Sequence, residues 1–336
     1  MKIDQQTLIS RLLERAHSVT LVSHLRPDGD AVGCLLGLGL SLKAAGKTVQ
    51  MVLADGVPSA FRHLPGSECV VRHLHNESDL IVVLDASDLD RCGGVLGDRV
   101  ADINIDHHVT NLQFARVNLV DPEAAATSEI LAANLSKWNL PINHEVAVAL
   151  LTGIVSDTLG FRTSSTTSQS LRLAAEMMEQ GANLAELYHL ALVRRSFESA
   201  LYWGAGLSRL QREGQLIWTS LTLSDRERAS YSGNDDADLV NLLSTIDDAE
   251  IMVIFVEQKG GKVKISWRAQ PGWDISKIAV QFGGGGHPAA AGAEIIGDLS
   301  LVQEKVLQAT RILFDHYKEL EVEASKDILQ KQGEMK

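Results

Sequence analysis

Apolar residues along the chain fall into short unbroken runs and longer stretches at helical spacing, and their alternation sets the order of elements. Residues 4–17 carry apolar positions at the period of an amphipathic helix. Residues 18–23 then read as a strand, followed by a small-residue helix over 31–45 with Gly46 as its C-terminal cap. A strand at 47–53 and a short helix at 58–64 come next. Leu80–Leu84 is wholly apolar, as expected of a parallel strand buried on both faces, and a helix over 88–96 is predicted after it. Residues 103–105 repeat that strand pattern. An edge strand at 113–120 and helices at 126–137 and 145–155 complete the first half, the last helix almost wholly apolar and hence central.

From Thr166 the character changes. Helical segments at 167–180, 183–193 and 196–211 lead to strands at 215–221, 249–257 and 262–268, with a helix near 238–246 and Gly260-Gly261 as a hairpin turn. A helix over 273–281 and an amphipathic helix over 300–317 follow. The division expected is a first domain at 1–182, a helical linker at 183–212, a second, smaller domain at 213–318 and a charged tail at 319–336. The fold class is α/β: a doubly wound parallel sheet, then a smaller α/β domain.

Composition narrows the class. At 336 residues the chain is long enough for about two domains with ample cores, and 45% hydrophobic with 22% charged residues describes a soluble globular protein. No apolar run is long enough to span a bilayer and the N-terminus lacks a signal-peptide core, so no membrane partner is expected and the location expected is cytoplasmic. Cys34, Cys69 and Cys92 are scattered and odd in number, which supports neither a disulfide framework nor a thiolate zinc site. A net charge of −12 argues against coating long nucleic acid, because such binding rests on neutralising many phosphates. It leaves room for a small anion held by metal ions and a few arginines. A homo-oligomer stays open.

The chemistry gathers at the ends of the strands. The first strand ends in His24-Leu25-Arg26-Pro27-Asp28-Gly29-Asp30, the second apolar run in Asp85, the third in Asp106-His107-His108, and the central helix in Ser156-Asp157. Each has a bland reading. Asp28 and Asp30 complement a helix N-terminus, Asp88 caps the helix after Asp85, and an isolated Asp-His-His satisfies a turn. Asp85 and Asp157 are left needing partners, because a buried carboxylate is costly alone. Eight such groups at element ends facing one crevice outnumber the ligands of one ion. Two divalent ions about 3.5–4 Å apart would use them, as in phosphoryl displacement. Imidazole with carboxylate suits manganese, iron, cobalt or zinc. Farther on, Phe282-Gly283-Gly284-Gly285-Gly286-His287 offers either a flexible linker or backbone amides that approach a phosphate closely.

The segments SHLRPDGDAVG, VVLDASD, NIDHHVTN and GIVSDTLGF resemble, in order and spacing, the four motifs of the DHH phosphoesterases, and GGGGHPAAAG resembles the Gly-rich motif of the DHH-associated domain. The resemblance implies a catalytic domain at 1–182 and a substrate-binding domain at 213–318, with the active site in the cleft between them. It also implies two divalent metal ions, Mn2+ by first preference with Mg2+ or Co2+ as substitutes. His24, Asp28 and Asp85 would hold one ion, and Asp30, Asp85, His107 and Asp157 the other, with Asp85 as bridge. Asp106 would fix the tautomer of His107, and His108 would face the substrate phosphate or leaving oxygen, so Asp85, Asp106 and His108 are the catalytic set. Arg26 stands where many relatives carry Asn and adds positive charge. Arg268, Gly284, Gly285, Gly286 and His287 would hold the far end of the substrate, although Pro288-Ala289-Ala290-Ala291 replaces the Lys-Asn-Ala-Ser usual after the His.

The relatives this arrangement most resembles hydrolyse very short oligoribonucleotides to 5′-mononucleotides and dephosphorylate 3′-phosphoadenosine 5′-phosphate. Short RNA and nucleotides are therefore the partners expected. The rival within the same chemistry is a phosphodiesterase of cyclic dinucleotides or their linear products. Outside it stands a non-catalytic nucleotide sensor or RNA-binding module.

Overall fold

The computed structural model describes residues 4–314, which divide into two compact units between Arg194 and Arg195. The charged run after residue 319 and the last residues of the helix expected over 300–317 lie outside the described residues. Among the described residues no helix is long and apolar enough to cross a membrane.

The first unit runs α1 (Gln5–Arg15), β1 (Ser18–Val22), α2 (Gly29–Ala44), β2 (Thr48–Val52), β3 (Val70–Val71), β4 (Leu80–Leu84), β5 (Ile103–Asp106), β6 (Val117–Val120), α3 (Thr127–Asn134), α4 (His144–Asp157), α5 (Ser168–Glu179) and α6 (Leu184–Tyr188). Its six strands are all parallel in the order β3-β2-β1-β4-β5-β6. The order reverses between β1 and β4, so the crevice beyond their carboxyl ends is the position where open α/β sheets bind ligands.

Alternation along the strands sends Leu21, Val82, Leu84, Ile103 and Ile105 into a core shared with the helices, while Val22, Val52, Ile81 and Val83 face the other way. That second face is covered by Ala86, Cys92, Leu96 and Ala101. The helix expected over 88–96 is only the 3-10 turn Asp90–Cys92, because Gly93, Gly94 and Gly97 all take positive φ there. Helices α2 and α4 meet at backbone distance: a Cβ on Gly33 would stand 2.7 Å from the carbonyl oxygen of Ala149. Small residues in both helices allow that approach, which brings Asp30 and Asp157 onto neighbouring elements.

The second unit runs α7 (Phe197–Leu207), β7 (Gln211–Glu213), β8 (Leu216–Leu221), α8 (Leu223–Ala229), α9 (Leu239–Leu243), β9 (Ile251–Gln258), β10 (Lys262–Ala269), α10 (Ser276–Gln281), β11 (Gly285–His287) and β12 (Ala290–Ile296). It closes with α11, helical over residues 299–314. Its mixed sheet has the order β11-β12-β10-β9-β8-β7. The run Ile251–Val256 is apolar throughout because both faces are covered: Ile251, Val253 and Phe255 face the core with α10 and α11, Met252, Ile254 and Val256 the core with α7, α8 and α9. The helix expected over 196–211 ends at Leu207, and its last residue begins β7.

Candidate active site

Three strand ends and one helix end of the first unit converge. His24 follows β1, Asp85 follows β4, Asp106 ends β5 with His107 and His108 beyond it, and Asp157 is the last residue of α4. Asp85 takes φ +54, a left-handed conformation that a non-glycine residue adopts at a cost, and its own N–H donates to Ile105 at 3.0 Å. The turn places its carboxylate between two imidazoles: Oδ2 is 3.4 Å from His24 Nε2, and Oδ1 is 3.7 Å from His107 Nε2. His24 Nε2 also lies 3.9 Å from Asp28, and His107 Nε2 3.4 Å from Asp157. His24, Asp28 and Asp85 form one group of ligand atoms within 4.8 Å of one another, and Asp30, Asp85 and His107 another, sharing Asp85.

The donor set could hold a metal ion, because the second nitrogen of each histidine is engaged elsewhere. His24 Nδ1 lies 2.8 Å from the carbonyl of Leu25, and His107 Nδ1 3.3 Å from that of Ala124. A carbonyl can only accept, so each Nδ1 carries its proton and each Nε2 turns to the carboxylates. Metal bonds of about 2.0–2.2 Å at ordinary angles set ligand atoms about 3.0–3.5 Å apart; the His24–Asp85 and His107–Asp157 separations of 3.4 Å fall in that range, and those of 3.7 and 3.9 Å are longer.

The carboxylates are oriented by backbone. Asp28 both caps and faces the cluster: its Oδ1 accepts the N–H groups of Asp30 and Ala31, each at 3.0 Å, while its Oδ2 is the atom near His24. Asp30 accepts from the first two amides of α3, Thr127 at 2.6 Å and Ser128 at 2.9 Å. The Thr127 hydroxyl donates to Asp85 at 3.0 Å. Asp88 makes the local turn, accepting from the Arg91 amide and the Ser87 hydroxyl.

The charges are strongly coupled. Burial opposes protonation of His24, but the hydrogen bond to Asp85 and the charges of Asp28 and Asp85 outweigh it and raise the imidazole to about 9. Burial likewise works against His107, whose pKa the charges of Asp85, Asp30 and Asp106 nevertheless raise. Burial pushes the Asp30 carboxyl well up, reinforced by Asp85 and Asp157. It works against Asp85 also, but His24, His108 and His107 hold that carboxyl far below the ordinary range.

One expectation is corrected. Asp106 was expected to orient His107; instead His107 Nδ1 meets the Ala124 carbonyl and Asp106 Oδ1 lies 2.7 Å from His108 Nδ1. Arg26 is exposed at φ +54, its amide donating to Asp55 at 2.7 Å.

The remaining expected residues belong to the second unit. Arg268 lies on β10 with Nε donating to Asn241 and Nη1 to the Trp267 carbonyl. The four glycines are not an open loop of amides. Gly283 and Gly284 close the turn after α10 by donating to Val280 and Ala279, and Gly285–His287 pairs with β12 as an edge strand. A Cβ on Gly284 would stand 2.1 Å from the Gly292 oxygen, and one on Gly286, at φ +140, 2.5 Å from that of Ala290.

Sequence reasoning missed Thr127, Ser128, Asn111 and Gly153. A Cβ on Gly153 would meet Ser128 Oγ at 2.0 Å and Asp30 Oδ1 at 2.8 Å. The readable signal was Thr-Ser-Glu at the start of a helix, whose free amides suit a carboxylate.

Comparison with known proteins agrees with this architecture. The DHH family N-terminal domain matches residues 18–154, and the DHHA1 domain residues 223–313. The chain is 34% identical over 316 residues to the bifunctional oligoribonuclease and PAP phosphatase NrnA of Thermus thermophilus, covering 92% of this chain and 94% of that protein. The protein of the same name from Mycoplasma genitalium is 29% identical over 311 residues, covering 88% and 94%. The crystal structure of an exopolyphosphatase-related protein from Bacteroides fragilis matches with a TM-score of 0.82 at 26% identity, covering 94% of this chain and 97% of that one.

Proposed function

Because the chain belongs to the DHH family and is a hydrolase acting on phosphoester bonds, we propose that it cleaves very short oligoribonucleotides to 5′-mononucleotides and removes the 3′-phosphate of 3′-phosphoadenosine 5′-phosphate. The observation that carries this reading is Asp85, buried at the switch point of the parallel sheet and shared by two histidine-carboxylate groups. The names of the relatives from Thermus thermophilus and Mycoplasma genitalium support the choice of substrates.

His24, Asp28 and Asp85 would hold one divalent ion, and Asp30, Asp85, His107 and Asp157 a second, with manganese the identity that mixed imidazole and carboxylate donors favour over magnesium. When bound, the ions supply Lewis acidity and water activation. The rest is done by the chain. Asp85 fixes the spacing of the two groups, and the α3 amides hold Asp30 in place. His108, its Nδ1 proton directed at Asp106, presents Nε2 to a phosphate or leaving oxygen. No protein nucleophile is required. Arg268, Gly285, Gly286 and His287 are the groups we assign to the substrate's distal phosphate, so that length and not sequence is read. Gly284 contributes through the hairpin it permits.

Side-by-side turnover of di- to pentanucleotides, 3′-phosphoadenosine 5′-phosphate, linear and cyclic dinucleotides and pyrophosphate tests the assignment. Dinucleotides and 3′-phosphoadenosine 5′-phosphate should lead. A preference for a cyclic dinucleotide by tenfold or more would overturn it, and a protein with neither bound transition metal nor manganese-stimulated hydrolysis would be a sensor instead.

A further inference from the structure

We infer that Asn111 is a positioning residue for His108, acting through Asp106. Asp106 is fully buried, and its two oxygens are divided: Oδ1 lies 2.7 Å from His108 Nδ1, and Oδ2 accepts from Asn111 Nδ2 at 2.6 Å. The same Asn111 nitrogen reaches Asn104 Oδ1 at 2.8 Å and the Ala86 carbonyl at 3.3 Å. Asn104, itself fully buried on β5, donates to the carbonyls of Val83 and Ala86, each at 3.3 Å. Asn111 Oδ1 accepts the Gln113 amide at 2.7 Å. A continuous path therefore runs from the end of β4 through two amide side chains to Asp106 and on to the imidazole.

The physical case lies in the torsion that the path restrains. An aspartate carboxylate turns about a broad terminal torsion, so a carboxylate bonded only to His108 would carry the ring with it as it moved. A donor on the second oxygen, itself tied to the backbone of the neighbouring strand, removes that freedom. The imidazole then keeps one orientation and one tautomer, Nδ1 protonated, with Nε2 as the reactive nitrogen. Asn111 also shapes a turn, and the two roles make different predictions.

The assignment of a reactive His108 rests on the function proposed above, and the experiment keeps the two apart. Asn111→Ala should lower kcat for a dinucleotide about 10–100-fold, with KM and manganese content near wild type. In a His108→Ala background the same substitution should cause little further loss, because the path ends at that ring. Asn111→Ser, which keeps a shorter donor, should recover part of the rate and covers the case in which the alanine variant fails to fold. Nitrogen NMR of the metal-free protein should show His108 as a single Nδ1-protonated tautomer in the wild type and a mixture in Asn111→Ala; this holds whatever the substrate proves to be. Equal losses of rate in the presence and absence of His108, or an unchanged His108 tautomer, would overturn the inference.

Discussion

Asp85 and Asp225 are both buried carboxylates, at 2% and 1% exposure, and they have opposite surroundings. Asp85 faces the imidazoles of His24, His107 and His108. Asp225, in the first turn of α8, accepts from both terminal nitrogens of Arg209, from Arg228, and from the Thr222 amide and hydroxyl as a capping box. A guanidinium keeps its protons, so the second arrangement is complete as it stands. An imidazole can turn a lone pair toward a cation, so the first is suited to metal. Burial of a carboxylate does not mark a site; the chemistry of its partners does.

The sharpest way to test that contrast is to neutralise both. Asp85→Asn should reduce hydrolysis of a dinucleotide and of bis-p-nitrophenyl phosphate alike, by about a thousandfold or more, in steady-state assays with saturating manganese. Asp225→Asn should leave both rates within about twofold of wild type, as expected of a change away from the reacting groups. Comparable losses from the two variants would break the distinction.

His287→Ala should separate the substrates. If this residue grips only a distal phosphate, dinucleotide cleavage falls about 10–100-fold while the small ester, which has no such phosphate, is much less affected. Equal losses would place His287 in the chemistry itself.

Stability provides the next contrast. Gly153→Ala puts a methyl group into Ser128 and Asp30 and should cost about 1–3 kcal/mol, read as a lower melting temperature together with weaker metal binding. Asp225→Asn should cost a similar amount, about 1–3 kcal/mol near pH 7, with no effect on metal. The two differ in pH dependence. The Arg209 hydrogen bonds hold the Asp225 carboxyl below its ordinary value, so its contribution is complete above the unfolded-state pKa of about 3.9 and is lost as pH falls through the folded value. The gap between wild type and Asp225→Asn in denaturant titrations should therefore narrow below about pH 4, whereas the steric cost of Gly153→Ala should not depend on that titration.

Much of the first unit could be read from sequence because its signals are local. Apolar runs such as Leu80–Leu84 state a buried strand, and each ends in a group able to hold a metal. Asp85, His24 and His107 stood out on those grounds, and Asp157 as a lone carboxylate at the end of an apolar helix. The partner of Asp106 was not legible: the resemblance implied His107, whereas the carboxylate meets His108. Thr127, Ser128 and Gly153 escaped because their roles come from α3 and α4 arriving beside α2, a tertiary fact. In the second unit the same limit appears as missed strands: Ala290–Ile296 begins with alanine and glycine and shows no alternation, so its pairing with β10 had no local signature. Helix α8 was missed too, although Thr222 and Asp225 spell its capping box.

The glycine run gives the finest version of the comparison, because its members serve different ends. Gly284 and Gly286 are required by the hairpin, since a Cβ at either would collide with a backbone oxygen. Gly285 is not: a Cβ there meets nothing within 4 Å and its φ lies outside the left-handed range. The fold gives no reason for glycine at that position, whereas a phosphate seated against the backbone would. Gly285→Ala should therefore change stability by less than about 0.5 kcal/mol, while KM for a dinucleotide rises about three- to tenfold, the size of a modest lost contact, and bis-p-nitrophenyl phosphate is turned over as before. An unchanged dinucleotide KM would remove Gly285 from the substrate contacts, and a lowered melting temperature would mean that the hairpin needs it after all.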